Sequence, residues 1–432
     1  MKNRFKYVLY ITLYIITVIP IAIGIGIISS CKTPYAPAPI TAVNNYLVVE
    51  GLININDSTF ISLSRTVGVM NASTVKPELK ATISIVSNTG GSYPLKEVGN
   101  GMYSAPSYNL SAANQYRLMI KTSSGSTYAS DFEQTKVTPP IDSLITQFKP
   151  DGLYISVNAH DATNNTRYYR WDFDETWQFT SYFDSHLTAQ GAATSPAAMS
   201  PLYAGPGISV LPRTNDIYHC WGNNTSHLIT INTTAGLSQD IIQNQPITFV
   251  ASSSEKLSIR YSINIRQYAL TPDSYAFWTL LQKNTEQLGS IFDSQPSATI
   301  GNIHNINNPA EPVIGYMSAC TVSQTRIYIN YTDLPKSYVA DYQNNTPYNQ
   351  YTCVLQNPNV TVPGVWVYWA KTGEYEEFDY LINAYPYNPI FIPIDVITPF
   401  NPLTLAGSVT AAIPACVDCT LRGTNVKPAF WQ

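Results

Sequence analysis

The chain has 432 residues, and its 24 lysine and arginine residues stand against 28 aspartate and glutamate residues, which gives a formal net charge of −4 at pH 7. This mildly acidic balance, without clusters of basic side chains, excludes nucleic-acid binding. Charged residues make up only 12% of the chain while tyrosines number 31, so neutral polar and tyrosine side chains must cover most of the surface. Such surfaces suit envelope proteins that bind neutral ligands or other proteins, and they also arise in any strand-rich fold.

The first thirty residues have the layout of an export signal. A basic lead precedes residues 7–28, which carry no charge, and small residues gather at the end of this run. The order Ile-Ser-Ser-Cys at 28–31 is similar to a bacterial lipobox. It predicts that residues 1–30 are a signal peptide and that Cys31 is lipidated. The alternative is an uncleaved membrane-spanning helix with an incidental cysteine at its end.

Lipidation would anchor the folded part beside a membrane, because each buried methylene of an acyl chain contributes about 0.8 kcal/mol. Residues 31–43 follow the anchor and contain three prolines in a short polar stretch. Such a stretch cannot form a helix. We therefore expect it to act as a semi-rigid spacer.

Alternation of apolar and polar residues predicts an immunoglobulin-like β-sandwich over residues 44–138. Residues 59–67 place Ile and Leu on one face and Ser on the other, and residues 81–85 and 116–121 repeat the pattern. The sequence NTGG at 88–91 has the turn chemistry of a β-hairpin. Several short strands with turn signals between them are typical of a small sandwich.

A larger β-sandwich domain with one inserted helix is predicted over residues 139–432. Residues 169–177, apart from Glu175, and residues 259–266 alternate between aromatic or aliphatic and polar side chains. Thr271 then precedes a proline at a first helical position, and apolar residues keep helical spacing as far as residue 288. The mainly β pattern thus predicts a helix over 272–288, with its apolar side against the second β domain.

Several stretches carry a resemblance to a known family. They are the lipobox, YLVVEG at 46–51, NTEQLGSIFDSQP at 284–296, GNIHNINNPAEPVIGYM at 301–317 and CVDCTLRGTNVKPAFW at 416–431. With them, essentially the whole mature chain resembles the outer-membrane lipoproteins of Bacteroidota grouped as domain of unknown function 4249. The resemblance implies an outer-membrane location and the company of SusC-type TonB-dependent transporters. It implies no enzymatic activity.

The same resemblance predicts that the anchored chain faces the cell surface, but one feature departs from the pattern of surface-exported lipoproteins. Many surface-exported lipoproteins of that phylum carry acidic residues soon after the lipidated cysteine, whereas residues 32–35 read KTPY. We expect a chain that faces the cell surface, with a periplasmic orientation as the alternative.

Five cysteines follow Cys31. The sequence CVDC at 416–419 fits a redox pair, a zinc half-site or part of a disulfide framework, but no second close pair of zinc ligands exists. In an oxidising envelope we expect disulfides among Cys220, Cys353, Cys416 and Cys419. Cys320 lies in a run that predicts a buried strand, and we expect it to stay a free thiol.

The chain lacks the sequence motifs of common enzymes and dinucleotide- or phosphate-binding sites. We therefore expect no catalytic residue, no metal and no cofactor. Asp172 and Asp174 lie two apart on one strand face, an arrangement that a glycosidase pair or an ordinary polar face would produce, and the polar face is expected. His219 stands beside Cys220, and we interpret this neighbourhood as packing around a disulfide.

Loops rich in tyrosine, asparagine and proline supply the predicted contact residues. These possible binding residues are Tyr348, Tyr351, Tyr385 and Tyr387. They can stack on a sugar ring or fill a pocket of a partner, and the alternative is that they cover the edges of the sandwich.

Two functions fit the whole sequence. The first is a non-catalytic lipoprotein that serves as an accessory or ligand-binding partner of a TonB-dependent outer-membrane transporter. The second is a structural component of an envelope or export assembly, without a small-molecule ligand.

Overall fold

Antiparallel strands dominate the protein. The computed structural model describes residues 45–67, 75–191, 208–286, 301–338, 353, 365–370, 392–401 and 406–432. In these ranges strands far exceed helices, and they form large antiparallel sheets. The predicted mainly β, sandwich-like class is confirmed.

The N-terminal β region is built on ten strands. They are β1 (Leu47–Gly51), β2 (Ile53–Asn54), β3 (Thr59–Arg65), β4 (Lys76–Pro77), β5 (Thr82–Ser87), β6 (Ser92–Gly99), β7 (Met102–Ala105), β8 (Gln115–Lys121), β9 (Thr127–Ser130) and β10 (Glu133–Gln134). The order across the sheet is β1-β3-β7-β6-β5-β8-β9, with β4 paired to β3 and β10 paired to β8. Their inward side chains share one core.

Strand alternation in this region is as predicted. Ile61 and Leu63 are fully buried, while the intervening side chain of Ser62 lies on the other face. The predicted hairpin turn joins β5 to β6. Gly90 takes a φ of 96° there, a left-handed conformation that favours glycine, and the Ser87 amide donates to the Gly91 carbonyl at 2.8 Å.

The described residues after position 138 add fifteen strands and two α-helices. They are β11 (Ile141–Lys149), β12 (Gly152–His160), β13 (Tyr168–Thr180), β14 (Leu187–Gly191), β15 (Ile208–Pro212), β16 (His219–Thr225), β17 (Thr230–Thr233), β18 (Ile241–Ala251), β19 (Arg260–Ala269), α1 (Pro272–Glu286), β20 (Ile303–Asn305), β21 (Ala319–Cys320), β22 (Val322–Asn330), β23 (Val365–Ala370), β24 (Ile392–Asn401), β25 (Ala406–Ala412) and α2 (Pro414–Val417).

The larger β region has a sandwich core of its own. One sheet has the order β11-β12-β18, and the other has the order β16-β13-β19-β22, with β17 also paired to β13. Ile155 from the first sheet and Trp171 and Ile263 from the second lie in one buried cluster. Because side chains alternate along each strand, Asp172, Asp174 and Arg266 face away from this core. Glu175 of β13 is the exception, since it is buried and accepts a hydrogen bond from the Tyr261 hydroxyl at 2.7 Å. Two smaller sheets, β14-β15 and β23-β25-β24, complete the fold.

The predicted boundary at residue 138 does not separate the two β regions. Strand β20 pairs antiparallel with β9, and β21 pairs in parallel with β2. Ile303 and Met317 are buried in the core of the N-terminal region. A segment predicted to belong to the larger domain therefore completes the first one, and Tyr46–Gln432 form a single compact unit. Period-two alternation predicts a strand but not which sheet it joins, since pairing is long-range.

Helix α1 begins at the predicted residue, Pro272, and is described as far as Glu286. The Thr271 hydroxyl accepts a hydrogen bond from the Ser274 amide at 3.2 Å, which caps the helix as its sequence predicts. Phe277 is buried, and Trp278 packs against the apolar cluster around Leu270.

Candidate functional site

A cleft of about 970 Å³ lies where three parts of the fold meet. One wall is the edge of the N-terminal β region, the second is helix α1, and the third is the outward face of the β13-β19-β22 sheet. Its lining includes Glu50, Asn54, Asn56, Asp57, Phe60, Arg170, Asp172, Arg266, Tyr268, Trp278, Tyr316 and Gln324. This volume is at the upper end of the range for small-molecule sites, about 300–1,000 Å³.

Asp172 and Arg266 lie on the floor of the cleft and belong to a ladder of ion pairs that continues along the sheet beyond it. The strand register sets Asp172 of β13 opposite Arg266 of β19. Arg266 donates through Nε to Asp172 Oδ1 at 2.6 Å and through Nη1 to Asp174 Oδ1 at 2.5 Å. Arg326 of β22 donates through Nη2 to the other oxygen of Asp174 at 2.7 Å. Two carboxylates and two guanidinium groups thus alternate across three strands.

This ladder decides between the two interpretations of Asp172 and Asp174. Both carboxylates accept charge-assisted hydrogen bonds from arginine, and Asp172 also accepts one from the Tyr268 hydroxyl at 3.0 Å. A glycosidase needs one carboxyl group that holds a proton and a second one across the sugar. Side chains locked together on one strand face match the polar-face interpretation instead.

Arg170 joins helix α1 to this floor. Its guanidinium carbon lies 4.4 Å from the ring centre of Tyr268 and 4.5 Å from that of Trp278. Cation–π contacts of this kind stabilise a cation that has lost part of its water. Burial, together with the nearby Asp172 charge, raises the pKa of Tyr268 well above its usual range, so its hydroxyl stays a hydrogen-bond donor.

A buried carboxyl group supports the back of the cleft. Glu133 accepts hydrogen bonds from the Tyr316 hydroxyl at 2.6 Å, from Asn302 Nδ2 at 2.9 Å and from the Thr271 hydroxyl at 3.3 Å. Burial raises the pKa of Glu133, and these hydrogen bonds offset part of the rise. The carboxyl group thereby links the N-terminal β region, the segment before β21 and the start of helix α1.

The four cysteines that were predicted to be oxidised form two disulfides. Cys220 is joined to Cys419, and Cys353 is joined to Cys416. The CVDC sequence therefore contributes to two different bridges, which rules out a redox pair within it. Cys320 is a free buried thiol, and burial raises its pKa to about 12.

The His219 neighbourhood has no nucleophilic cysteine, because Cys220 is in a disulfide. His219 Nδ1 lies 3.0 Å from an oxygen of Asp216. Within the described ranges, no group of three or more His, Cys, Asp or Glu side chains has the arrangement to hold a metal ion.

The remaining predicted residues lie outside the described ranges: Cys31, Tyr348, Tyr351, Tyr385 and Tyr387. Among the helices that the structure describes, none has the length and apolar character needed to span a bilayer.

Sequence reasoning did not find the cleft. Alternation placed Asp172 and Arg266 on the polar faces of their strands, but it gave no sign that these strands are neighbours. The signal that was available is a complementary charge pattern, Arg-x-Asp-x-Asp at 170–174 and Arg on the same face of β19. Opposite charges on two strands of one domain favour direct cross-strand pairing.

Fold and site together define a mainly β protein with two joined β regions and one mixed polar and aromatic cleft between them. The chain belongs to the family described as "Domain of unknown function (DUF4249)", whose family model matches residues 32–326. No curated protein matches the chain.

Similarity to solved structures is slight. One match is described as "Complete structure of manganese lipoxygenase of Gaeumannomyces graminis and partial structure of zonadhesin of Komagataella pastoris", with 8% identity, 54% of this chain and 91% of that chain covered, and a TM-score of 0.16. Another is chitinase ChiA74 from Bacillus thuringiensis, with 8% identity, 50% and 29% covered, and a TM-score of 0.13. At these TM-scores neither match informs the fold or the function.

Proposed function

We propose that the chain is a non-catalytic lipoprotein of the outer membrane that acts as an accessory or ligand-binding partner of a TonB-dependent transporter. The observation that carries the proposal is the cleft, in which Asp172 and Arg266 are paired with each other and the remaining lining includes aromatic, amide and aliphatic side chains. Such a lining suits the capture of a ligand, because the paired charges are held in place while aromatic and amide groups can contact the ligand.

The beginning of the chain supports the location. Acyl chains on Cys31 would hold the β regions beside the membrane through the proline-containing spacer, and the tyrosines at 348, 351, 385 and 387 are proposed contacts with the transporter. Family membership is consistent with this location through the resemblance of the chain to lipoproteins of Bacteroidota.

Two measurements test the location and the partner. The Cys31→Ala variant should lose radiolabelled palmitate and leave the membrane fraction, whereas normal labelling and anchoring of that variant would contradict lipidation at Cys31. Purification of the tagged chain in a gentle detergent should recover a β-barrel transporter. Recovery of envelope-assembly proteins without a transporter would favour the structural alternative.

A further inference from the structure

We infer that the cleft binds a neutral, polyhydroxylated ligand of the carbohydrate class. This inference rests on the proposed function, because it names the chemistry of the ligand that the accessory protein would capture. Three features of the lining support it: charges that nearly balance, amide groups with hydrogen-bonded oxygens, and an exposed aromatic ring.

The charges of the lining select against an anionic ligand. The three acidic residues Glu50, Asp57 and Asp172 stand against Arg170 and Arg266, so the acidic side chains outnumber the basic ones by one. Asp172 and Arg266 are already paired at 2.6 Å. An anionic ligand would have to take Arg170 or Arg266 from Asp172 and weaken the pairing of that half-buried carboxylate, which is costly. A neutral ligand avoids that cost.

Three residues with amide side chains line the cleft: Asn54, Asn56 and Gln324. The Oδ1 atoms of Asn54 and Asn56 accept the backbone N–H groups of Asn56 and Val322, each at 3.3 Å. Gln324 Oε1 accepts from Asn264 Nδ2, also at 3.3 Å. These bonds use the oxygen of each amide and leave the N–H₂ group to donate. Sugar hydroxyls can accept from these donors and, at the same time, donate to the nearby carboxylates.

The walls favour a sugar over an extended peptide. Peptides commonly bind by adding a strand to an open sheet edge. Strand β1 pairs with β3 on one side. On its other side the Val49 N–H donates to the Ile314 carbonyl at 2.8 Å, and the Ile314 N–H donates to the Leu47 carbonyl at 2.9 Å. Strands β13 and β19 lie inside their sheet, and β22 is its edge strand. The walls formed by β1, β13 and β19 therefore offer side chains rather than backbone groups.

Phe60 supplies the aromatic surface. It lies on the outward face of β3 at the cleft, and 57% of its surface is exposed. The rings of Tyr268 and Trp278 each have the guanidinium group of Arg170 against them. The ring of Phe60 is thus the one most open to the apolar face of a pyranose.

The test is calorimetric titration of the detergent-solubilised full chain with a panel of neutral oligosaccharides of glucose, mannose, galactose, xylose and N-acetylglucosamine. At least one should bind with a Kd below about 1 mM.

The Phe60→Ala variant should weaken that binding about tenfold, and Gln324→Ala should also weaken it. Phe249→Ala removes a ring with 47% exposure that does not line the cleft, so it is a matched control and should bind as the wild type does. A rise from about 0.05 M to about 0.5 M NaCl should change the Kd less than twofold.

The inference is overturned if no oligosaccharide of the panel binds, if Phe60→Ala and Phe249→Ala bind alike, or if oligogalacturonate or a peptide binds more tightly with steep salt dependence. Detergent co-purification does not depend on the ligand. A recovered transporter without sugar binding would therefore contradict the ligand class alone, and sugar binding without a transporter would contradict the transporter partnership alone.

Discussion

At the scale of single residues, the floor of the cleft is part of an ion-pair ladder in which each carboxylate has at least one arginine partner. Asp174 is held by Arg266 and Arg326, and Asp172 is held by Arg266 and the Tyr268 hydroxyl. The two aspartates keep their positions because several groups fix each of them. Their spacing in sequence also occurs in a catalytic pair, although it is more typical of a polar strand face.

Removal of Arg266 should destabilise the protein. We expect Arg266→Ala to lower the free energy of unfolding by about 1–3 kcal/mol, less than for a fully buried pair, because its side chain is 30% exposed. Arg266→Lys keeps the charge but loses the planar fork, and it should fall between the wild type and the alanine variant. Urea unfolding measures all three. An alanine variant as stable as the wild type would show that the ladder contributes nothing to stability.

Asp161 should make stability depend on pH at the acid end. Burial alone would raise its pKa, but hydrogen bonds from Thr163, Thr166 and Asn165 outweigh this effect and lower the pKa to about 2. Because the folded value lies below the unfolded value of about 4, the ionised group stabilises the fold above pH 4, and this stabilisation is lost as the pH falls towards 2.

The melting temperatures of the wild type and Asp161→Asn should therefore differ most near pH 5 and converge towards pH 2. Asp131→Asn, at an exposed carboxylate, is the matched control. A difference between wild type and Asp161→Asn that stays constant over this range would contradict the assigned hydrogen bonds.

At the scale of elements, the cap of helix α1 couples the helix to the N-terminal β region, since the Thr271 hydroxyl both accepts from Ser274 and donates to Glu133. Thr271→Ala should cost about 1 kcal/mol of unfolding free energy, and Thr271→Ser, which keeps the hydroxyl, should cost much less. Chemical denaturation followed by circular dichroism distinguishes them. Equal losses in the two variants would assign the effect to the methyl group instead.

Elements with a local signal were predictable from the sequence. The alternation in β3 and β13, the glycine turn after β5 and the proline start of α1 each depend on residues close together in the chain. The pairing of β20 with β9 and of β21 with β2 joins residues far apart, and it has no local pattern. The cleft was missed for the same reason, because its walls come from three distant parts of the sequence.

At the scale of the whole molecule, two disulfides tie the C-terminal segment to the larger β region. Cys220 and Cys419 are 199 residues apart, and Cys353 and Cys416 are 63 apart. Both cysteines after residue 410 lie in short helical segments and are fully buried.

Removal of the disulfide that closes the longer loop should lower the free energy of unfolding more than removal of the other disulfide. A bridge limits the unfolded chain more when it closes a longer loop, so replacement of Cys220 and Cys419 by serine should cost about 1 kcal/mol more than replacement of Cys353 and Cys416. Urea unfolding of the two double variants without reductant measures the difference. The reverse order would show that native packing around the bridges, rather than the entropy of the unfolded chain, decides their contribution.

Partnership with a transporter is tested most directly in intact cells. Cells with the tagged full chain would be treated with an amine-reactive cross-linker, the chain purified under denaturing conditions, and the attached peptides identified by mass spectrometry. We predict cross-links to a TonB-dependent transporter for the wild type and their loss for Cys31→Ala, which should leave the membrane. Cross-links only to envelope-assembly proteins, or none to any β-barrel transporter, would contradict the proposed function.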